Sequence, residues 1–134
     1  MQKDDGRQVV LVVDDEPHIV NLVKLSLGEN KYNVIGAYSA REAIGTLRHT
    51  TPDLILVDLM MPGVNGFELC REIRDFPKTK HVPIIILSAK NQFYDKLHAV
   101  EVGADDYITK PFDPTELERR IQLNTVENKV KGGV

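Results

Sequence analysis

The sequence predicts an α/β fold in which five parallel strands form one sheet with helices on both faces. Short apolar runs, VVLVV at 9–13 and DLILV at 53–57, are typical of strands that are covered on both faces. Stretches with apolar residues at helical spacing separate these runs. Because alternating strands and helices build parallel sheets with right-handed crossovers, the pattern predicts a doubly wound (βα)5 domain.

Five strands are predicted in chain order. VPIIIL at 82–87 is as strongly apolar as the two runs above, whereas YNVIGA at 32–37 and DYIT at 106–109 are weaker. All five runs contain β-branched residues, which favour extended chain. The predicted strands are β1 (9–13), β2 (32–37), β3 (53–57), β4 (82–87) and β5 (106–109).

The segments between and after these strands are predicted to be helices. Pro17 suits the first turn of α1, and Ser39 with Glu42 three residues later forms a capping box at the start of α2. Apolar residues recur at helical spacing in α1, α2 and α3, and Gly103 is a helix stop after α4. The apolar faces are Ile19, Leu22, Val23 and Leu27 in α1, Ala43, Ile44 and Leu47 in α2, and Gly66, Leu69, Cys70 and Ile73 in α3; α4 and α5 are predicted at 91–102 and 114–129.

Length and charge limit the domain organisation and the class of partner. A chain of 134 residues suits one domain, which we expect at 8–128, between a flexible N-terminal tail at 1–7 and a C-terminal tail or linker start at 129–134. The net charge of −3 argues against a nucleic-acid-binding surface. The longest apolar runs hold about five residues, far fewer than the roughly 20 of a membrane-spanning helix.

The cysteine and the histidines give no sign of redox or metal chemistry. Cys70 is the single cysteine and cannot form an internal disulfide, so we expect a buried apolar residue in a cytoplasmic protein. The four histidines lack metal-ligand spacing and are expected at the surface.

Polar residues stand where four of the five predicted strands end. The acidic run 14–16 follows β1, Asp58 follows β3, Ser88 follows β4 and Lys110 follows β5. In an open parallel sheet, the carboxyl ends of the strands form the ligand-binding edge. We therefore expect these side chains to form one site.

The acidic residues of this site need a positive partner. Asp14, Asp15 and Asp58 would repel one another at close range. Mg²⁺ offsets such charge, since it binds carboxylates, water and phosphate oxygens, and Lys110 adds a second positive charge. A carboxylate can act as a nucleophile and form an aspartyl phosphate, a reaction that needs mainly positioning and charge neutralisation. Ser88 could donate a hydrogen bond to a phosphate oxygen.

Four short motifs surround these residues. They are VVDDE at 12–16, DLMMPGVNG at 58–66, LSAK at 87–90 and GADDYITKPF at 103–112. In this order and at this spacing they are highly specific, and they resemble the receiver domain of bacterial response regulators over roughly residues 8–126. The resemblance implies a flavodoxin-like fold with strand order 2-1-3-4-5, which places the acidic pair beside Asp58.

The resemblance implies a metal site and a phosphoacceptor. Asp58 is expected to accept the phosphoryl group and to bind Mg²⁺ together with Asp15 and the backbone carbonyl of Met60. Asp14 is expected to help through a water molecule. Mn²⁺ is expected to substitute for Mg²⁺ at the same ligands.

The resemblance also implies a set of switch residues. Ser88 is expected to move and bind the phosphoryl group, and Tyr107 is expected to rotate inward as the aromatic switch. Lys110 is expected to contact the phosphate. The Lys110–Pro111 bond is expected to be cis, an arrangement that is rare for peptide bonds in general.

A receiver domain of this kind takes a phosphoryl group from a sensor histidine kinase or a phosphotransfer protein in a Mg²⁺-dependent reaction, and changes the surface formed by α4, β5 and α5. It is a phosphoacceptor signalling domain rather than an enzyme, although it assists its own phosphotransfer. Met60 and Lys90 are expected beside the attacking water. The thioether of Met60 cannot orient water, which predicts slow self-dephosphorylation. No membrane and no direct nucleic-acid partner is expected.

Charged residues crowd the α4-β5-α5 surface and suggest how two copies pair. Lys96 matches a basic partner of Glu116, and Asp106 an acidic partner of Arg120, as in the OmpR/PhoB-like subfamily, which implies a phosphorylation-dependent homodimer. The match is incomplete because Gln122 replaces a common basic residue, and a solvated charged surface is the alternative. The charged residues are Lys96, Glu101, Asp105, Asp106, Glu116, Arg119 and Arg120.

Two other functions fit part of the pattern. A phosphohydrolase of the haloacid dehalogenase type also forms an aspartyl phosphate, but it carries a second aspartate two residues after the nucleophile, where this sequence has Met60. A degenerate receiver would bind partners without being phosphorylated, but the five residues expected to carry the chemistry are all present.

Overall fold

Five strands form one parallel sheet, and two short strands in the loop after β3, Met60–Met61 and Val64–Asn65, form a separate antiparallel pair. The structure, a computed structural model, describes residues 6–89 and 93–132, and it describes the side chains of these residues except Val64, 93–96 and 126–132. The strand order is β2-β1-β3-β4-β5 with every pair parallel, which confirms the predicted fold class and order. The strands are β1 Gln8–Val13, β2 Tyr32–Ala37, β3 Leu54–Asp58, β4 Ile84–Ser88 and β5 Asp106–Thr109.

Helices cover both faces of the sheet. On one face, α1 and α5 pack on alternate strand residues such as Val10 and Leu56. On the other face, α2, α3 and α4 pack on the intervening residues, such as Leu11 and Val57. This alternation follows from the two-residue period of a strand. The helices are α1 Pro17–Leu27, α2 Ala40–Leu47, α3 Gly66–Asp75, α4 Phe93–Glu101 and α5 Pro114–Gly132.

Some predicted boundaries move by a few residues. β3 and β4 end one residue later than predicted because Asp58 and Ser88 belong to the strands and pair through their backbones with Leu87 and Thr109. The helix α5 continues to Gly132, three residues beyond the predicted end at 129. The predicted start of α4 at 91–92 lies outside the described residues.

The local signals for helix starts hold in part. The Glu42 N–H donates to Ser39 Oγ at 3.1 Å, which confirms Ser39 as the cap of α2. The Glu42 carboxylate accepts from the Tyr38 N–H at 2.9 Å, one residue earlier than a capping box would have it. Among the described helices, no helix combines the length and apolar content needed to cross a membrane.

Cys70 lies in the core between α3 and the sheet. Its side chain is fully buried, and burial raises the pKa of its thiol to about 12. A buried thiol with a raised pKa is a poor nucleophile. The prediction that Cys70 is an apolar packing residue is therefore confirmed.

Gly66 allows α3 to begin directly against the end of β3. A Cβ at this position would lie 2.7 Å from the backbone oxygen of Asp58 and 2.9 Å from Cα of Leu59. The preceding residue, Asn65, caps the helix by accepting from the Phe67 N–H at 2.9 Å. The start of α3 therefore fixes the position of the strand end that carries Asp58.

Gly66→Ala should lower the free energy of unfolding by roughly 1–3 kcal/mol, because the added methyl group overpacks a rigid backbone contact. Gly45→Ala in α2 is the matched control, since a Cβ there meets nothing within 4 Å. Alanine is preferred over glycine inside a helix by about 1 kcal/mol, so the control should gain stability. Urea denaturation of both variants measures the two changes, and shifts of the same sign would contradict the close contact.

Candidate functional site

The polar residues predicted from the strand ends lie at one edge of the sheet. Asp58 and Ser88 are the last residues of the neighbouring strands β3 and β4. Asp14 follows β1, the other neighbour of β3, and Lys110 follows β5. The side chains of Asp14 and Ser88 are fully buried, and Asp58 is 4% exposed. Buried charged groups are rare unless they are paired, which indicates a site rather than a solvated loop.

Lys110 joins the two buried carboxylates. Its Nζ lies 2.8 Å from Asp14 Oδ2 and 3.4 Å from Asp58 Oδ1. These residues are far apart in the chain, and only the parallel order of β1, β3, β4 and β5 brings them together. The Lys110–Pro111 bond that follows is cis, as predicted. The lysine therefore lies between the carboxylates in this structure.

Backbone N–H groups hold the two carboxylates in place. Asp14 Oδ1 accepts from the Glu16 N–H at 3.0 Å, and Asp58 Oδ1 accepts from the Met60 N–H at 3.2 Å. Each carboxylate thus has one backbone donor two residues later and one contact with Lys110. Both oxygens of Asp14 and the Oδ1 of Asp58 are therefore already engaged in these contacts.

The negative charge of the site is incompletely balanced. Burial, followed by the charge of Asp14, raises the pKa of Asp58 from 3.8 to about 6, although Lys110 and the Met60 N–H act in the opposite direction. For Lys110, burial alone would lower the pKa, but contacts with Asp14 and Asp58 outweigh it and raise the pKa. The lysine is therefore held charged, while Asp58 lies in a position that still favours a further positive charge.

A compact acidic group adjoins the buried pair. Asp14, Asp15 and Glu16 each offer a carboxylate oxygen, and these oxygens lie within 4.8 Å of one another. Such hard oxygen donors suit Mg²⁺, and the raised pKa of Asp58 fits a site that a cation completes. Glu16 was not among the predicted ligands. The acidic run that follows β1 is the sequence signal that points to it.

Ser88 and Tyr107 face the same side of the sheet. Ile86 is paired with Tyr107 in the ladder between β4 and β5, and Ser88 with Thr109, so side chains at 86, 88, 107 and 109 alternate together. Ile86 and the half-buried Tyr107 belong to the core beneath α2, α3 and α4. The predicted switch residues are thus on the face that carries α4.

The charged residues of α5 and β5 are engaged within the chain. Arg120 Nη1 donates to Asp106 Oδ1 at 2.5 Å, and Asn124 Nδ2 donates to Asp106 Oδ2 at 2.9 Å. Asp106 and Arg120 were predicted to pair between two copies, whereas here they pair within one chain. Lys90 and the side chain of Lys96 lie outside the described residues.

Two contacts at α3 were missed by the sequence reasoning. Arg74 donates to the Gly103 carbonyl and to Asp105, and the ring of His98 stacks on Phe67 with 4.0 Å between centroids. His98 was expected at the surface but is half-buried. Both contacts join residues about 30 positions apart, and no local spacing signals them.

Comparisons with known proteins agree on the family. Residues 10–122 match the profile described as "Response regulator receiver domain". A putative response regulator from Chloroflexus aurantiacus J-10-fl is 34% identical, with a TM-score of 0.84 over 90% of this chain and 98% of that chain. A receiver domain of Francisella response regulator 1452 is 32% identical, with a TM-score of 0.82 over 92% of this chain and 100% of that chain. The Vibrio cholerae chemotaxis protein CheY4 is 32% identical, with a TM-score of 0.83 over 87% and 98% of the two chains.

Asp58→Asn should make the metal-free chain more stable at neutral pH. The pKa of Asp58 is about 6 when folded and 3.8 as its ordinary value, so the folded state binds this proton more tightly. That contribution to stability is complete below pH 3.8 and is lost as the pH rises through 6. The variant has no such loss, and its advantage should reach on the order of 1–2 kcal/mol above pH 6.

Urea denaturation between pH 4 and 8 in the presence of a chelator measures this difference. Asp75→Asn is the control, because Asp75 is an exposed carboxylate on α3 and its replacement should give no comparable rise. A wild-type chain as stable as Asp58→Asn at every pH would contradict the unbalanced charge at the site.

Proposed function

The chain belongs to the response regulator receiver domain family, the signalling domains of two-component systems, and we propose that it accepts a phosphoryl group on Asp58. The observation that carries the proposal is the buried Asp58 carboxylate beside Asp14 and Lys110, with its pKa raised to about 6. A carboxylate kept at that cost to folding is expected to have a chemical use.

The proposed donor is a phosphohistidine on a sensor histidine kinase or a phosphotransfer protein. An oxygen of ionised Asp58 attacks phosphorus, the new O–P bond forms, and the N–P bond breaks with its electron pair leaving on the imidazole nitrogen. Lys110 already lies 3.4 Å from Asp58 Oδ1, so its ammonium is placed to contact a phosphoryl oxygen there. Positioning and charge neutralisation supply most of the catalysis in such transfers.

Mg²⁺ is proposed as the cofactor, with Asp15, Asp58 and the backbone carbonyl of Met60 as ligands and Asp14 acting through water. Glu16 adds a further carboxylate to the same acidic group. When bound, the ion would neutralise charge on the carboxylates and the phosphoryl oxygens. Mn²⁺ offers the same preference for oxygen ligands and is expected to substitute.

The output of the proposed reaction is a change in the α4-β5-α5 surface. Ser88 is proposed to bind the phosphoryl group and Tyr107 to rotate inward. Their placement on one face of neighbouring strands, beneath α4, supports this coupling. A shift between two states requires contacts that differ between them, and a new bond to the phosphoryl group supplies that difference.

The proposed role is that of a phosphoacceptor domain that assists its own phosphotransfer. Self-dephosphorylation is expected to be slow, because the thioether of Met60, a residue that is 58% exposed, offers no strong hydrogen bond to a water. Residue 60 also argues against a haloacid dehalogenase type of hydrolase, which needs an aspartate there. We further propose a cytoplasmic location and a folded unit that follows an N-terminal tail at 1–7 and extends past the expected boundary at 128, because α5 continues to Gly132.

A homodimer through α4, β5 and α5 is proposed as the phosphorylated form. Arg120 is paired with Asp106 inside one chain, so dimer formation would exchange this ion pair for one between copies. The Nε of Arg120 is buried without a hydrogen-bond partner among the described residues. Release of the Asp106 pair would also free this buried donor to form a hydrogen bond.

Incubation with acetyl phosphate and Mg²⁺ should add one phosphoryl group to the intact chain, as measured by mass spectrometry. Asp58→Ala removes the nucleophile and should abolish the mass gain. Asp75→Ala is the control and should label as the wild type does. Undiminished labelling of Asp58→Ala would exclude Asp58 as the acceptor. No labelling of a folded wild-type chain would favour a degenerate receiver that works without phosphorylation.

Beryllium fluoride with Mg²⁺, which mimics an aspartyl phosphate, should shift the wild-type chain toward dimers in sedimentation velocity runs at increasing concentration. Arg120→Gln should weaken this association at least tenfold, because the exchanged ion pair is lost. Arg41→Gln is the control, since Arg41 is exposed on α2, outside the α4-β5-α5 surface. A wild-type chain that stays monomeric with the mimic at every concentration would refute the proposed dimer.

A further inference from the structure

Arg74, in the last turn of α3, binds two separate segments of the chain, 79–82 and 103–105. Its Nη1 donates to the Val82 carbonyl at 2.6 Å and more weakly to the carbonyls of Thr79 and Lys80 at 3.3 and 3.4 Å. Its Nε donates to the Gly103 carbonyl at 2.9 Å. The fork of a guanidinium makes such multiple bonding possible, and lysine cannot reproduce it.

The remaining donor of Arg74 reaches Asp105. Arg74 Nη2 lies 2.7 Å from Asp105 Oδ2, and only 19% of the arginine side chain is exposed. The same oxygen accepts from the Ile84 N–H at 2.8 Å, at the first residue of β4. Arg74 and Asp105 thus tie the turn after α4 to the start of β4 and to the end of α3.

Gly103 completes this anchor through its backbone geometry. Its φ of +87° places it in a region that residues with a Cβ avoid, and an added Cβ would lie 3.2 Å from Arg74 Nε. Val102 and Ala99 beside it are 4% exposed. The end of α4 is therefore held by packing, by a hydrogen bond and by an ion pair together.

The anchor lies at the opposite end of β4 from the proposed switch. Ile84 begins β4 and Ser88 ends it, a separation of about 13 Å along a strand. The helix α4 follows Ser88 in the chain and returns to the anchor at its own end. A phosphoryl-dependent movement of Ser88 therefore acts on the part of α4 that is far from Arg74.

We propose that Arg74 is a positioning residue that fixes the C-terminal end of α4, so that a change at Asp58 and Ser88 swings the helix about Gly103 instead of displacing it as a whole. The inference rests on the proposed function, because it needs a phosphoryl-dependent change at Asp58. The Arg74–Asp105 pair would thus limit how much of α4 moves when Asp58 is phosphorylated.

The last turn of α4 carries a natural reporter of the helix position. The His98 ring stacks on Phe67 at 4.0 Å with 25° between the ring planes. Phe67 lies in the first turn of α3, which Gly66 fixes against Asp58. Ring currents from Phe67 make the resonances of His98 sensitive to any swing of α4, while the Gly103 amide reports on the anchor.

The test is NMR of the full chain with and without beryllium fluoride and Mg²⁺, using each variant's own difference between the two states. In the wild type, the Leu59 amide and the His98 ring should shift, and the Gly103 amide should change at least threefold less than the His98 amide. In Arg74→Lys, the chemical-shift change that beryllium fluoride induces at the Leu59 amide should persist. The induced change at the Gly103 amide should be at least threefold larger than in the wild type. Arg71→Lys, at an exposed position of the same helix, should behave as the wild type does.

Asp105→Asn provides a second variant if Arg74→Lys does not fold, since it leaves the bonds from Arg74 to Gly103 and Val82 in place and should raise the Gly103 change as well. A purely structural role for Arg74 would lower stability but leave the pattern of induced shifts as in the wild type, which would overturn the proposal. Equal changes at Gly103 and His98 in the wild type would also overturn it. Absence of any induced chemical-shift change at the Leu59 amide would overturn the proposed function itself, and with it the proposed swing of α4 about Gly103.

Discussion

A lysine between two buried carboxylates is the interaction on which the functional end of the sheet depends. Lys110 lies 2.8 Å from Asp14 and 3.4 Å from Asp58, and without it two like charges would share a poorly solvated space. One ammonium cannot balance both carboxylates, and burial, followed by the charge of Asp14, raises the pKa of Asp58. The same imbalance explains why the site suits a divalent cation and a phosphoryl group with a positive neighbour. The excess negative charge of the two buried carboxylates therefore underlies both the contacts of Lys110 and the proposed chemistry.

The fold makes this arrangement possible by burying the middle of the sheet on both faces. Strands β1, β3 and β4 contribute apolar residues that are almost fully buried, so the groups at their carboxyl ends lie where water screens little. The start of α3 presses against the backbone of Asp58 through Gly66. At the far end of the sheet, Arg74 joins α3, α4 and β4. One end of the sheet thus carries the buried polar groups, and the other end holds the ends of α3 and α4 together.

Much of the fold could be predicted because apolar runs and helical spacing act locally. The five strands of the main sheet, their parallel order and the two covered faces are confirmed, whereas the short antiparallel pair Met60–Met61 and Val64–Asn65 was not predicted. The exact strand ends could not be predicted, since Asp58 and Ser88 join the ladder through their backbones although their side chains are polar. The contact between Lys110 and Asp14 depends on chain order in space, which the motifs implied only by resemblance. The intrachain pair of Asp106 with Arg120 depends on side-chain directions that a list of charges does not contain.

The proposed function depends on Asp58 itself becoming the acyl phosphate. Borohydride reduction of the phosphorylated chain, followed by proteolysis and tandem mass spectrometry, tests it most directly, because the reduction converts an aspartyl phosphate into homoserine. We expect homoserine at position 58 alone, formed only when phosphodonor and Mg²⁺ are both present. Homoserine at any other aspartate, or unmodified Asp58 in a chain that has gained a phosphoryl group, would contradict it.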